Sequence, residues 1–179
     1  MNRAVCSLFM FALAASCQRS AHDRAITGDP LIDHVVALED PATSCVTVGG
    51  TTHVYKQSSS GPPAMLEAEK IKDGAARIAA AKIAIAGPVG VPAGTQLSEK
   101  DEHLAAEQAA KEEAEYRASV RTFGKFGGER CLMQVNAPAF SGNFAFVSFA
   151  NSGGGIGAYV FQRQNNDWET VEKVKLGFW

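Results

Sequence analysis

Among the residues of this sequence, the cysteines have the most clearly defined possible chemistry. The chain has 179 residues and four cysteines, Cys6, Cys17, Cys45 and Cys131. Cysteines pair in oxidising compartments, bind metals or attack substrates when activated, and otherwise behave as small buried hydrophobes. No Cys-x-x-Cys motif occurs, so a common signature of zinc and redox sites is missing. The role of these cysteines therefore depends on the compartment in which the protein folds.

The first sixteen residues predict export. A positive start, Met1–Arg3, precedes an apolar run from Val5 to Ala15, and polar sequence follows at once. The run is too short to span a bilayer and has the flanks of a secretory signal peptide. The alternative is a buried N-terminal helix or strand. Removal of residues 1–16 takes Cys6 away and, because Arg3 is their one charged residue, changes the formal net charge from -2 to -3.

The end of the apolar run resembles a bacterial lipoprotein precursor over residues 1–17. The likeness rests on Ala14-Ala15-Ser16-Cys17, because in that family the cysteine becomes the first mature residue and carries the lipid. The family usually has Leu three positions before the cysteine, where this chain has Ala14, and cleavage after Ala14 is the alternative. Gln18, rather than Asp, follows the cysteine. The resemblance implies a lipid on Cys17 and a periplasmic protein anchored to the outer membrane; a soluble periplasmic or secreted protein is the alternative.

The number of cysteines that remain after export links the processing of the N-terminus to disulfide formation in the rest of the chain. Three cysteines remain after export, and an oxidising compartment would leave one of them unpaired. If Cys17 is lipidated, Cys45 and Cys131 can pair, which predicts a bridge that closes a loop of roughly 87 residues and contributes up to about 4 kcal/mol. The alternative is two buried free thiols.

The other sequence patterns give little indication of a metal, phosphate or catalytic site. The histidines are scattered and form no ligand-spaced pair, so we expect no metal or cofactor. The glycine-rich stretch Asn151–Gly157 lacks the Lys-Ser/Thr of a phosphate loop and precedes a strand-like segment, which favours a hairpin connection. No Gly-x-Ser-x-Gly motif marks a nucleophile. Catalytic residues therefore cannot be assigned from the sequence.

Composition limits the classes of partner. Hydrophobic residues make up 46% of the chain and charged residues 20%, and the net charge is slightly negative. Such a balance is typical of a folded globular protein and argues against binding to nucleic acid through bulk positive charge. We therefore expect one domain over residues 29–179, with residues 17–28 as a tether.

The first half of the domain predicts helices with a short β segment. Asp29-Pro30 begins a helix over about 30–39. Ser44 to Lys56 predicts two short strands joined by a turn at Gly49-Gly50. Helical patterns over 64–86 and 99–122 predict a helical hairpin, with the connector 87–94 between them.

The C-terminal third predicts an antiparallel meander of four strands. The strands are Cys131 to Val135, Asn143 to Ala150, Gly157 to Arg163, and Trp168 to Leu176. The second is apolar on both faces and is expected at the centre of the sheet. The predicted class is α+β, with the helical hairpin covering the meander. A non-enzymatic exported protein that binds a partner protein or small ligand is the favoured function; the alternative is an exported enzyme whose site is assembled only in the fold.

Overall fold

A computed structural model describes the greater part of the expected domain. The described residues are 25–56, 66–84, 117–124 and 131–178, together with Glu107, Ala110, Lys111, Ala114 and Glu115. In chain order the elements are α1 (Pro30–Glu39), β1 (Cys45–Thr51), β2 (Val54–Tyr55), β3 (Leu66–Glu67), a 3-10 turn (Ala68–Lys70), α2 (Gly74–Ile83), β4 (Arg121–Gly124), β5 (Gln134–Ala137), β6 (Ala139–Ser141), β7 (Phe144–Ala150), β8 (Gly155–Gln164) and β9 (Asp167–Phe178).

Helix α1 forms where its capping residues predict it. The Asp29 carboxylate accepts hydrogen bonds from the backbone N–H groups of Leu31 and Ile32, and Pro30 occupies the first turn. The helix buries one apolar stripe, made of Leu31, Ile32, Val35 and Val36. This stripe fixes the helix against one face of the sheet, since it belongs to the same core cluster as residues of β1, β5, β7 and β8.

A seven-stranded mixed sheet organises the domain. The strand order is β4-β1-β5-β7-β8-β9, and β6 pairs with β7. The four C-terminal strands are antiparallel neighbours in the predicted order, because β5, β7, β8 and β9 pair in succession. The first of them begins at Gln134 rather than at Cys131, and the short strand β6, which was not predicted, lies between β5 and β7 in the chain. The prediction was incomplete, since β1 joins β5 in parallel and extends the sheet to β4. The α+β class is correct.

Strand β7 lies between neighbours on both sides and is buried on both faces, as its sequence predicts. Ala145, Val147 and Phe149 belong to the core on the α1 side, whereas Phe146 belongs to a second core on the opposite side. The second core is closed by α2 and the small β2–β3 sheet, whose strands are parallel. Both faces of the sheet are therefore covered, rather than one.

The prediction of a single helix over 64–86 was wrong. The helix begins at Gly74, where the Asp73 carboxylate caps it by accepting from the N–H of Ala76 at 2.7 Å. Upstream, Ile71 is fully buried, and the N–H groups of Lys72 and Asp73 donate to the Glu172 carboxylate. These tertiary contacts hold the backbone extended at Ile71 and Asp73, between the 3-10 turn and α2, although the side-chain pattern there is helical.

The face that α2 buries consists of alanines. The buried residues are Ala76, Ala79 and Ala80, whereas Ile78 is 63% exposed. Alanines allow α2 to approach the sheet closely, and Ile71 contributes to the same core from outside the helix. The buried face therefore depends on the small residues of α2 and on the preceding segment.

Two further predictions need correction. Gly49 and Gly50 are not a turn but lie inside β1, where the pairing with β5 shifts register between Gly49 and Thr51. Most of the predicted helix over 99–122 lies outside the described residues; those described between 107 and 119 are helical and exposed. Residues 121–124 form β4, so the helix does not reach 122. The helical hairpin as a cover of the sheet is not confirmed.

Candidate functional site

The predicted disulfide is present and joins two neighbouring segments of the sheet. Cys45 opens β1 and Cys131 precedes β5, with an S–S distance of 2.06 Å and Cα atoms 5.5 Å apart. The same segments are linked by a hydrogen bond from the Thr47 N–H to the Met133 carbonyl. Cys131 is only 7% exposed. The bridge thus connects segments 86 residues apart in sequence at the parallel β1–β5 junction. Cys17, the predicted lipid site, lies outside the described residues.

A polar cluster that the sequence did not predict surrounds Glu39 at the end of α1. The Glu39 carboxylate accepts hydrogen bonds from the Tyr159 hydroxyl at 2.5 Å, from the Asn151 side-chain amide at 3.0 Å, and from the Lys173 ammonium. These donors come from β8, from the β7–β8 connection and from β9. Glu39 is thereby the point at which α1 and three parts of the sheet meet.

The environment of Glu39 stabilises its charged form. Its side chain is 5% exposed. Burial by itself raises the pKa of Glu39, but the hydrogen bonds from Lys173, Tyr159 and Asn151, with the positive charge of Lys173, outweigh this effect and lower the pKa below 4.5. The carboxylate is therefore held ionised, with its lone pairs directed to donors of the protein.

Tyr159 and Lys173 are constrained by the same carboxylate. Burial, and then the hydrogen bond to Glu39 and its negative charge, raise the pKa of Tyr159 far above 10. The Lys173 ammonium lies 5.3 Å from the centre of the Phe149 ring and 5.6 Å from that of Tyr159, within range of a cation–π interaction. A tyrosine held neutral and a glutamate held ionised do not exchange protons near neutral pH. The cluster is thus suited to fastening elements together rather than to acid–base catalysis.

The glycine-rich stretch is the hairpin connection that the sequence favours. Asn151 closes it with its side-chain oxygen, which accepts from the Gly155 N–H at 2.8 Å, and its N–H donates to the Gly155 carbonyl. Gly154 has a positive φ of 81°, which glycine adopts without strain. The Ser152 hydroxyl donates to Asp40. The connection is therefore fastened to the end of α1 and presents no helix N-terminus for a phosphate.

A second group of polar side chains lies where β5 bends into β6. Thr52 is 3% exposed, and its hydroxyl accepts from the Ser148 N–H at 3.0 Å. The Ser148 hydroxyl in turn accepts from the Asn136 amide and lies 3.3 Å from the Thr52 hydroxyl. These neutral groups, one buried and two part-buried, satisfy one another's hydrogen-bonding capacity. They supply no general base that would activate Ser148 as a nucleophile.

A small cavity of about 230 Å³ lies on the outer side of α1. It is lined by Ala25, Gly28, Pro30, Asp33, His34, Ala37 and Leu38. The Asp33 carboxylate is already occupied by the N–H groups of Ile26, Thr27 and Gly28 and by the Thr27 hydroxyl. The His34 ring meets the Phe161 ring edge-on at 5.4 Å. The groups with perturbed pKa, Glu39 and Tyr159, do not line this cavity.

Among the described residues, no group of three or more His, Cys, Asp or Glu side chains is arranged to hold a metal ion. Within those residues, no helix combines the length and apolar character that crossing a membrane requires.

Comparisons with known proteins gave no match to this chain, whether with protein-family models, with curated proteins or with solved structures.

Proposed function

We propose that this chain is an exported envelope protein, anchored through a lipid on Cys17, whose disulfide-bridged α+β domain binds a partner protein or a small ligand without catalysing a reaction. The Cys45–Cys131 bridge is the observation that carries the proposal. Disulfides are typical of proteins that fold in oxidising compartments. The bridge therefore fits export, which the N-terminal sequence predicts independently.

The bridge also bears on the fate of Cys17. Once residues 1–16 are removed, Cys45 and Cys131 occupy each other, and Cys17 has no remaining cysteine of its own chain to pair with. An unpaired thiol in an oxidising compartment invites disulfide exchange or oxidation. A lipid on Cys17 resolves this, in agreement with the lipoprotein-like sequence that ends at this residue.

A binding role rather than catalysis is supported by the polar side chains of the Glu39 cluster, which interact with one another. Glu39 and Tyr159 are directed at each other and at Lys173. The cavity beside α1 is smaller than the 300–1,000 Å³ of sites for drug-sized ligands. It has room for a very small molecule or for one side chain of a partner protein. An exported enzyme is the alternative, but neither polar cluster favours it.

Metabolic labelling with a radioactive fatty acid, followed by fractionation of envelope membranes, tests the anchor. The full chain should carry label and sediment with the outer membrane, whereas Cys17→Ser should lose both properties. Cys6→Ser is the matched control, because Cys6 leaves with the signal peptide and its replacement should change neither. Membrane association that persists without label in Cys17→Ser would contradict the anchor.

A further inference from the structure

An exposed phenylalanine and a half-buried tryptophan lie on the face of the domain that carries α1. Phe140 on β6 is 56% exposed, and its ring centre lies 5.8 Å from that of the half-buried Trp168. Phe140, Ala145, Phe161 and Thr170 are paired in one row across β6, β7, β8 and β9. Directly paired residues of antiparallel strands share a face. Because Ala145 and Phe161 belong to the core beneath α1, Phe140 projects from that same face.

The described chain also enters the domain on this face. Ile26 and Trp168 both pack against the core beneath α1. Ala25 lines the same cavity as Leu38, which is 48% exposed on the outer side of α1. The N-terminal tether therefore joins the domain on the side where Leu38 and Phe140 are exposed.

The length of the tether restricts how the domain can face a membrane. Cys17 and Ala25 are eight residues apart in sequence, which an extended chain spans in at most about 28 Å. A domain of this size is about 40 Å across. An anchor on Cys17 therefore favours the α1 side next to the bilayer, because the tether is too short to pass around the domain.

The overall charge does not supply the attraction, since the mature chain carries a slight net negative charge. Aromatic and apolar side chains do so at the boundary between lipid headgroups and acyl chains. We propose that Phe140 and Trp168 form a contact site for the phospholipid surface and orient the anchored domain with α1 towards the membrane. This inference rests on the proposed lipid at Cys17.

Tryptophan fluorescence in reconstituted vesicles tests the orientation. The chain has two tryptophans, so Trp179→Phe leaves Trp168 as the single reporter. The lipidated protein is placed in phosphatidylethanolamine–phosphatidylglycerol vesicles that contain lipids with a doxyl quencher near the headgroup. We expect the lipid label to quench Trp168 and the emission of Trp168 to lie at a shorter wavelength than in the lipid-free protein.

A reporter on the opposite side provides the matched control. Ile78 is 63% exposed on α2, and Ile78→Trp in a chain with Trp168→Phe and Trp179→Phe should give a tryptophan that the lipid does not quench. Phe140→Ser should lower the quenching of Trp168, whereas Ile78→Ser should not. Because both replaced side chains are exposed, neither change should unfold the domain.

The outcomes separate the orientation from the anchor. The mass of each protein first establishes whether Cys17 carries a lipid. If it does, equal quenching of Trp168 and the residue-78 reporter, or stronger quenching of the residue-78 reporter, would overturn the orientation and leave the anchor intact. If Cys17 carries no lipid, both the anchor and the orientation are overturned.

Discussion

Replacement of Glu39 by glutamine tests whether this residue fastens α1 to the sheet. The carboxylate is 5% exposed and accepts from Tyr159, Asn151 and Lys173. Glutamine keeps the shape but loses the charge, and its NH2 group faces donors instead of accepting from them. A hydrogen bond to a charged group contributes about 1.5–3 kcal/mol. Lys173 is 39% exposed, and part of its attraction is screened by solvent.

We therefore expect Glu39→Gln to lower the free energy of unfolding by about 2–3 kcal/mol. For a domain of this size this corresponds to a fall in Tm of about 5–10 °C. Urea unfolding at neutral pH, monitored by circular dichroism in chains that also carry Cys17→Ser, measures the change. Exposed Glu69 provides the control, because Glu69→Gln removes the same charge and should change stability by less than about 0.5 kcal/mol. Equal stabilities of the Glu39→Gln and Glu69→Gln chains would refute the fastening role.

The remaining predictions concern pH, the bridge and one close contact. Because the pKa of Glu39 is lowered in the folded state, its carboxylate stabilises the fold above pH 4.5, and this contribution is lost as the pH falls through the lowered pKa. The free energies of unfolding of the unmutated and Glu39→Gln chains, measured in urea, should therefore converge in acid. The pKa of Tyr159 is raised above 10, so stability should fall as the pH rises above 10, and near-ultraviolet absorbance should show one tyrosine that ionises only on unfolding. Reduction of the Cys45–Cys131 bridge should cost up to about 4 kcal/mol in urea unfolding, and unchanged stability would contradict its role. Gly157→Ala would bring a methyl group within 2.8 Å of a buried ring carbon and 2.9 Å of a backbone oxygen, so calorimetry should show a loss of about 2 kcal/mol, whereas a raised Tm would contradict the packing.

Elements specified by adjacent residues could be predicted from the sequence. Asp29 and Pro30 determine the start of α1 through capping and a fixed φ. The apolar run of β7 predicts a central strand because both of its faces must be buried. The Cys45–Cys131 bridge is not local, but it could be predicted from the number of cysteines together with the lipoprotein-like N-terminus, which assigns Cys17 to a lipid. Each of these inferences needs no knowledge of distant packing.

Elements determined by distant contacts could not be predicted in this way. The segment before α2 looks helical, but Glu172 from β9, about one hundred residues away in sequence, accepts its N–H groups. Gly49 and Gly50 look like a turn because the parallel pairing of β1 with β5 leaves no local signal.

The Glu39 cluster could not be predicted for the same reason, because its residues are far apart in the sequence. It joins Glu39 to Tyr159 and Lys173, which lie 120 and 134 residues away. One local signal was available, since an acidic residue in the last turn of a helix is unfavourable next to the helix dipole. Glu39 stands at that position in α1, and the positive charge of Lys173 offsets the cost. An acidic helix end therefore predicts a cationic partner without naming it.

The intact mass of the mature protein, purified from an expressing Gram-negative envelope without reductant, tests the central claim most directly. The account predicts the mass of residues 17–179 with a diacylglycerol-type addition on Cys17 and two hydrogens fewer for the Cys45–Cys131 bridge. A bare chain that begins near Ala15 would contradict the lipid anchor and indicate a free periplasmic or secreted protein. A lipidated chain that retains both hydrogens would contradict the bridge instead.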